Sequence, residues 1–172
     1  FLFESLASYG EAFELGDVDA DGDLDCLVGN ERPDWREELL RNDGSGRFTL
    51  DATFPDLRTD ARDAHLADLE GDGDLDVWFA ATPPRLLRND GTAWSDVSAT
   101  IPVAAALSLA PGDLDGDGDL DLALADGTRA LVLRNDGASG FVAGPDLRSG
   151  ATSQVGLVDA DLDGDLDLFT SS

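Results

Sequence analysis

Four acidic loops of one pattern recur along the chain, and no other feature limits the fold so tightly. They occupy residues 17–25, 68–76, 113–121 and 159–167, and their first acids are 51, 45 and 46 residues apart. Each loop has acids at positions 1, 3, 5, 7 and 9, glycine at 6 and leucine at 8. An apolar run follows each: Cys26-Leu27-Val28, Val77-Trp78-Phe79, Leu122-Ala123-Leu124 and Leu168-Phe169. A second motif alternates with the loops. It reads Leu-Leu-Arg-Asn-Asp-Gly at 39–44 and 86–91 and Val-Leu-Arg-Asn-Asp-Gly at 132–137, with Phe48, Trp94 and Phe141 trailing. The two interlocked motifs define a repeat of about 46 residues, a length shared by propeller blades and some helical solenoids.

Local chemistry chooses the blade. Apolar runs of this length bounded by Gly and Asp are strand-sized. Asn-Asp-Gly after an apolar pair is a hairpin signal, because these residues tolerate positive φ. No segment sustains a period near 3.6; residues 103–110 come nearest, but they align with the extended segment 61–67. Each unit therefore reads as four strands: one before the acidic loop, one after it, one at Leu-Leu-Arg and one carrying the aromatic. The expected fold is an all-β propeller of about four units in one domain spanning residues 1–172. The approximate divisions are 1–14 (a terminal strand), 15–62, 63–107, 108–153 and an incomplete 154–172. Unit one carries extra residues at 31–38, including Trp35. They read as a longer hairpin loop packed locally, with a contact site as the alternative.

The loop spacing suits a hard cation. Calcium takes six to eight oxygens at about 2.3–2.6 Å. A tight loop can bring the side chains of positions 1, 3 and 5 to one point, and glycine at 6 permits the sharp turn. The sensor loop flanked by helices needs a bidentate Glu at position 12. Here that position is Val28, Phe79, Leu124 or Thr170, so the Asp at position 9 is the natural closing ligand. Magnesium prefers fewer protein ligands, and zinc lacks its His and Cys. About four calcium sites are expected. Their candidate ligands are Asp17, Asp19, Asp21, Asp23 and Asp25; Asp68, Glu70, Asp72, Asp74 and Asp76; Asp113, Asp115, Asp117, Asp119 and Asp121; Asp159, Asp161, Asp163, Asp165 and Asp167. Leucine at 8 is expected to point away from the ion and anchor the loop in the core.

Composition excludes several roles. The 172 residues suffice for one core, and a 42% hydrophobic content separates the chain from a disordered acidic tail. A net charge of −26 repels nucleic acid and anionic membrane surfaces. No run of 18 apolar residues is present, so no helical membrane insertion is expected. The single Cys26 makes no intrachain disulfide and reads as a buried strand thiol. No catalytic constellation accompanies His65, the only histidine, so no enzyme is expected.

The loop Asp-x-Asp-x-Asp-Gly-x-x-Asp, the Asn-Asp-Gly hairpin and the trailing aromatic resemble the FG-GAP and VCBS-type repeats, as in the head propeller of integrin α subunits. The resemblance covers nearly the whole chain. It implies calcium at hairpin tips on one face of a propeller, with positions 1, 3, 5 and 9 giving side chains and position 7 its carbonyl. Glu70 departs from the usual Asp or Asn. Such propellers usually carry seven blades, whereas about three and a half to four are legible here.

The expected function is a calcium-stabilised module for adhesion or protein contact outside the cytosol, extracellular, cell-surface or periplasmic. The alternatives are a lectin-like propeller using Trp35, Trp78 or Trp94, and a non-catalytic part of a larger secreted enzyme. The residues do not name the protein or glycan partner. Phe1 precedes Asp17 by 16 residues, near the spacing of a fourth strand to the next loop (19 from Trp94 to Asp113, 18 from Phe141 to Asp159). The last unit shows only two strands. Association with a second copy or with further polypeptide is therefore expected in preference to closure of a small ring by one chain.

Overall fold

A computed structural model of the chain describes residues 10–32, 34–137, 140–147 and 150–172. Fourteen strands follow in order: β1 Gly10–Gly16, β2 Asp25–Asn30, β3 Glu38–Asn42, β4 Phe48–Leu50, β5 Asp63–Ala67, β6 Asp76–Ala80, β7 Arg85–Asn89, β8 Trp94–Asp96, β9 Ser108–Gly112, β10 Asp121–Ala125, β11 Ala130–Asn135, β12 Phe141–Leu147, β13 Gln154–Val158 and β14 Asp167–Ser171. A single 3-10 turn at Ser98–Thr100 is the one helical element among the described residues.

The strands form three four-stranded antiparallel sheets, β1 to β4, β5 to β8 and β9 to β12, plus the hairpin β13–β14. In each unit the acidic loop joins the first two strands, as the sequence implies. Residues 103–107 are not helical, and β9 is extended. β1 begins at Gly10, so residues 10–14 pair with β2 in the first sheet rather than forming a separate terminal strand. The expected strand at Phe1 to Phe3 lies outside the described residues.

Packing explains the sequence pattern. In β6 the side chains alternate between two neighbours: Val77 and Phe79 join Leu27, Leu39 and Ala64 between units one and two. Trp78 joins Leu109, Leu122, Leu124 and Leu133 between units two and three. The core is therefore not inside a unit but between consecutive sheets. A strand covered on both faces reads as an unbroken apolar run, and β6 and β10 are buried at every residue. Among the described residues no sheet follows β14, and Phe169, in the place of Trp78, is exposed.

The first strands of successive units lie side by side. The Leu66 N–H donates to Glu14, the Ser108 hydroxyl to Asp63 and the Val155 N–H to Ser108. This order places all four acidic loops at the same end of the stacked sheets.

Candidate metal centre

Each loop is shaped by its own acids. The position 1 carboxylate caps the turn: Asp17 accepts from the N–H of Asp21 and Gly22, Asp68 from Asp72 and Gly73, Asp113 from Gly116 and Gly118, and Asp159 from Asp163 and Gly164. The position 5 carboxylates of Asp21, Asp72, Asp117 and Asp163 accept from the N–H two residues on, at 2.9 to 3.0 Å. Glycine at position 6 has φ between 95° and 99° in all four loops. Position 4 is also left-handed, which the sequence reading missed: Gly71 and Gly116 have φ 70° and 77°, while Ala20 and Leu162 hold φ 57° and 63°. The recurrence of glycine at 71 and 116 was the available signal.

Position 9 joins the loop to the Asn-Asp-Gly hairpin. One oxygen of Asp25, Asp76 and Asp121 accepts from the N–H of loop position 2, at 2.8 to 3.1 Å. The other accepts from the N–H of Asn42, Asn89 and Asn135, at 2.8 to 2.9 Å. These three carboxylates are fully buried. Among the described residues Asp167 keeps only the bond from Ala160, and it is exposed. The Asn89 side-chain amide reaches further, donating to the carbonyl of Leu75 at 3.3 Å and to that of Val18 in the preceding unit's loop at 3.1 Å.

Three loops gather carboxylates around one point. Oxygens of Asp17, Asp19 and Asp21 lie within 4.8 Å of one another, as do those of Asp113, Asp115 and Asp121 and those of Asp159, Asp161 and Asp167. The triads draw on positions 1, 3 and 5 in the first case and on 1, 3 and 9 in the others. Among the described residues the second loop forms no such triad, and Glu70 is paired with Arg88. The position 7 side chains of Asp74 and Asp119 turn elsewhere. Their oxygens lie 2.9 and 2.8 Å from where a Cβ on Gly91 or Gly137 would stand. Those hairpin glycines hold φ of 75° and 68°, a backbone that favours glycine, directly under the position 7 carboxylates.

Three of the loop carboxylates are held above their ordinary range. Burial, with Asp72 and Asp68 nearby, pushes Asp76 up to about 6 against the pull of the Asn89 and Leu69 amides. Burial raises Asp121 in the same way, and burial with the Asp25 charge raises Asp19. The arginine of the second motif answers part of this charge. Arg41 lies 3.0 Å from Asp25 and 3.5 Å from Asp19, and Arg134 lies 3.2 Å from Asp115. An all-oxygen set of clustered carboxylates fits a hard divalent ion and offers no soft ligand.

Other sequence candidates change standing. Leucine at position 8 meets the neighbouring unit: Leu75 and Leu166 pack on glycines of the preceding unit, whereas Leu24 is 53% exposed. Trp78 is fully buried, edge-on to Phe141 at 5.3 Å, and cannot meet a sugar. Trp94 is half-buried, edge-on to Phe54. Trp35 is half-buried too, in a turn where its N–H donates to Arg32. Cys26 is half-buried on β2, and burial raises its thiol. His65 sits between Asp63 and Glu14, at 3.4 and 3.5 Å, as a structural ion pair.

Stacked antiparallel sheets with an acidic loop at the same end of every unit define an all-β repeat protein. The sequence matches the FG-GAP-like repeat family over residues 17–79 and 113–170, and the chain belongs to that family. Repeats of this family are typical of extracellular proteins and are generally non-catalytic. No curated protein sequence matches the chain. No helix of the described residues is long and apolar enough to cross a membrane.

Proposed function

We propose that the chain is a calcium-stabilised, propeller-type module for protein contact or adhesion outside the cytosol, with calcium structural. The observation that carries this is that three of the acidic loops each gather three carboxylates with oxygens within 4.8 Å of one another. Positions 1, 3 and 5 would supply side chains, position 9 would close the site where its lone pairs remain free, and position 7 its carbonyl. The ion would neutralise charge that burial and crowding now oppose. Binding to the folded state alone at 100 times Kd adds about 2.7 kcal/mol per site. Several sites would match the whole stability of a typical domain, about 5–15 kcal/mol. Melting temperature in excess calcium is therefore expected to exceed that in EDTA by well over 10 °C. Equal melting temperatures in the two buffers would overturn the reading. A sugar-binding role is less favoured, because the tryptophans offered for it are buried or half-buried.

A further inference from the structure

The arginine of the second motif does not stand alike in the three units that carry it. The Arg41 side chain is 22% exposed, against 49% for Arg88 and 53% for Arg134. Arg41 Nε donates to Asp51 Oδ2 at 2.9 Å. Its Nη1 donates to Asp25 Oδ2 at 3.0 Å and lies 3.5 Å from Asp19 Oδ2. Arg88 pairs with Glu70 and Arg134 with Asp115; among the described residues neither pairs with the position 9 carboxylate of its unit.

Asp51 accounts for the difference. Its own place is fixed, because its other oxygen accepts from the N–H and hydroxyl of Thr53 and its N–H donates to the Leu39 carbonyl. Strand register shows that unit one alone has an acid there. Arg41, Arg88 and Arg134 lie opposite Thr49, Ser95 and Val142, and two residues further on stand Asp51, Val97 and Gly144. Valine and glycine offer a guanidinium no acceptor side chain. The pairing changes the loop. Asp25 Oδ2 already accepts from the Val18 N–H, so Arg41 fills its second lone pair, and Oδ1 takes the Asn42 N–H. Asp121 takes the two backbone bonds without the arginine. The first triad uses positions 1, 3 and 5, whereas the third includes position 9.

We propose that Arg41, held by Asp51, is a resident counter-charge that occupies the position 9 ligand of the first loop and sets that loop's calcium affinity below that of the third. The inference rests on the calcium reading above. A fixed guanidinium beside Asp19 and Asp25 repels a divalent ion and takes an oxygen that the ion would use. Without the ion, the same charge offsets the repulsion between the loop's carboxylates.

The test is calorimetric titration of the full chain with calcium. Arg41→Gln is expected to tighten one site by at least about tenfold and to leave the others unchanged. Asp51→Val, which gives unit one the residue of unit two, is expected to tighten the same site by a smaller factor. Adding Asp19→Ala to Arg41→Gln is expected to abolish the gain. Arg134 is exposed and clear of Asp121, so Arg134→Gln is expected to change its site by less than about threefold. No gain from Arg41→Gln, or an equal gain from Arg134→Gln, would overturn the proposal. Melting temperature separates this role from plain structural support. Arg41→Gln is expected to melt below wild type in EDTA, and the loss to vanish or reverse in excess calcium. Equal losses in the two buffers would make the arginine structural only and overturn the proposal. Wild type that binds no calcium would sink the calcium reading and this proposal with it, a result distinct from tight binding that Arg41→Gln fails to improve.

Discussion

Leu162 occupies a backbone conformation that two of its equivalents reserve for glycine. Its φ is 63°, its side chain is 86% exposed, and Gly71 and Gly116 hold the same loop position. Left-handed backbone costs a residue with a Cβ about 1–2 kcal/mol, offset in part by glycine's larger unfolded-state entropy. Leu162→Gly is therefore expected to raise stability by about 0.5–1 kcal/mol in urea denaturation; a destabilised variant would show that the leucine's contacts outweigh the strain. Glu37 is a different kind of burden. Its side chain is 1% exposed; Oε1 accepts from the Thr59 N–H and hydroxyl, and Oε2 has no hydrogen-bond partner. Burial pushes it up to about 7, against the pull of Thr59. The folded chain thus holds this proton more tightly than the unfolded chain, whose Glu titrates near 4.3. The contribution of the neutral form is present below about pH 4.3 and lost as pH rises through about 7. Glu37→Gln keeps an acceptor for Thr59 and removes the titration. It is expected to gain about 1–3 kcal/mol over wild type at pH 8 and much less at pH 4.5. A difference of equal size at both pH values in thermal melts would contradict this account.

At the scale of the element, the acidic loop and the Asn-Asp-Gly hairpin are one device. The buried Asp121 carboxylate accepts from Leu114 in the loop and from Asn135 in the hairpin, while Asp119 leans over Gly137 and away from the triad. Asp115 belongs to the triad. In calorimetric titration with calcium, Asp115→Ala is expected to weaken the third site by more than about tenfold, so that one tight site disappears. Asp119→Ala is expected to leave the number of tight sites unchanged; loss of a site in that variant would mean that position 7 binds through its side chain. Much of this device was legible in advance. The alternation of acids, the glycine at position 6 and the Asn-Asp-Gly signal depend on local backbone chemistry, which sequence records directly. The double use of position 9 was not legible, because its partners, such as Asn135 for Asp121, lie 14 residues away across a hairpin whose register no local pattern states. The same holds for Leu75, whose contact with Gly16 becomes visible only when two units are stacked.

For the whole molecule, the repeat period made the order of strands and the stacking of units readable. The buried runs of β6 and β10 follow from sheets packed on both sides. What sequence could not convey is that the ends of the array differ. Val158 and Gly16 look interchangeable as small apolar residues ahead of an acidic loop, yet Gly16 lies against the Leu66 and Leu75 ends of the next unit and Val158 is 49% exposed. The link between the Asn89 amide and the carbonyl of Val18 has a consequence of its own. A loop held from the next unit cannot order itself privately. Whatever fixes the first loop also narrows the motions of the second hairpin, and by reciprocity whatever locks that hairpin favours the first loop's ordered form. In thermodynamic terms the first loop and the second hairpin are coupled through this amide, and order in one is felt in the other.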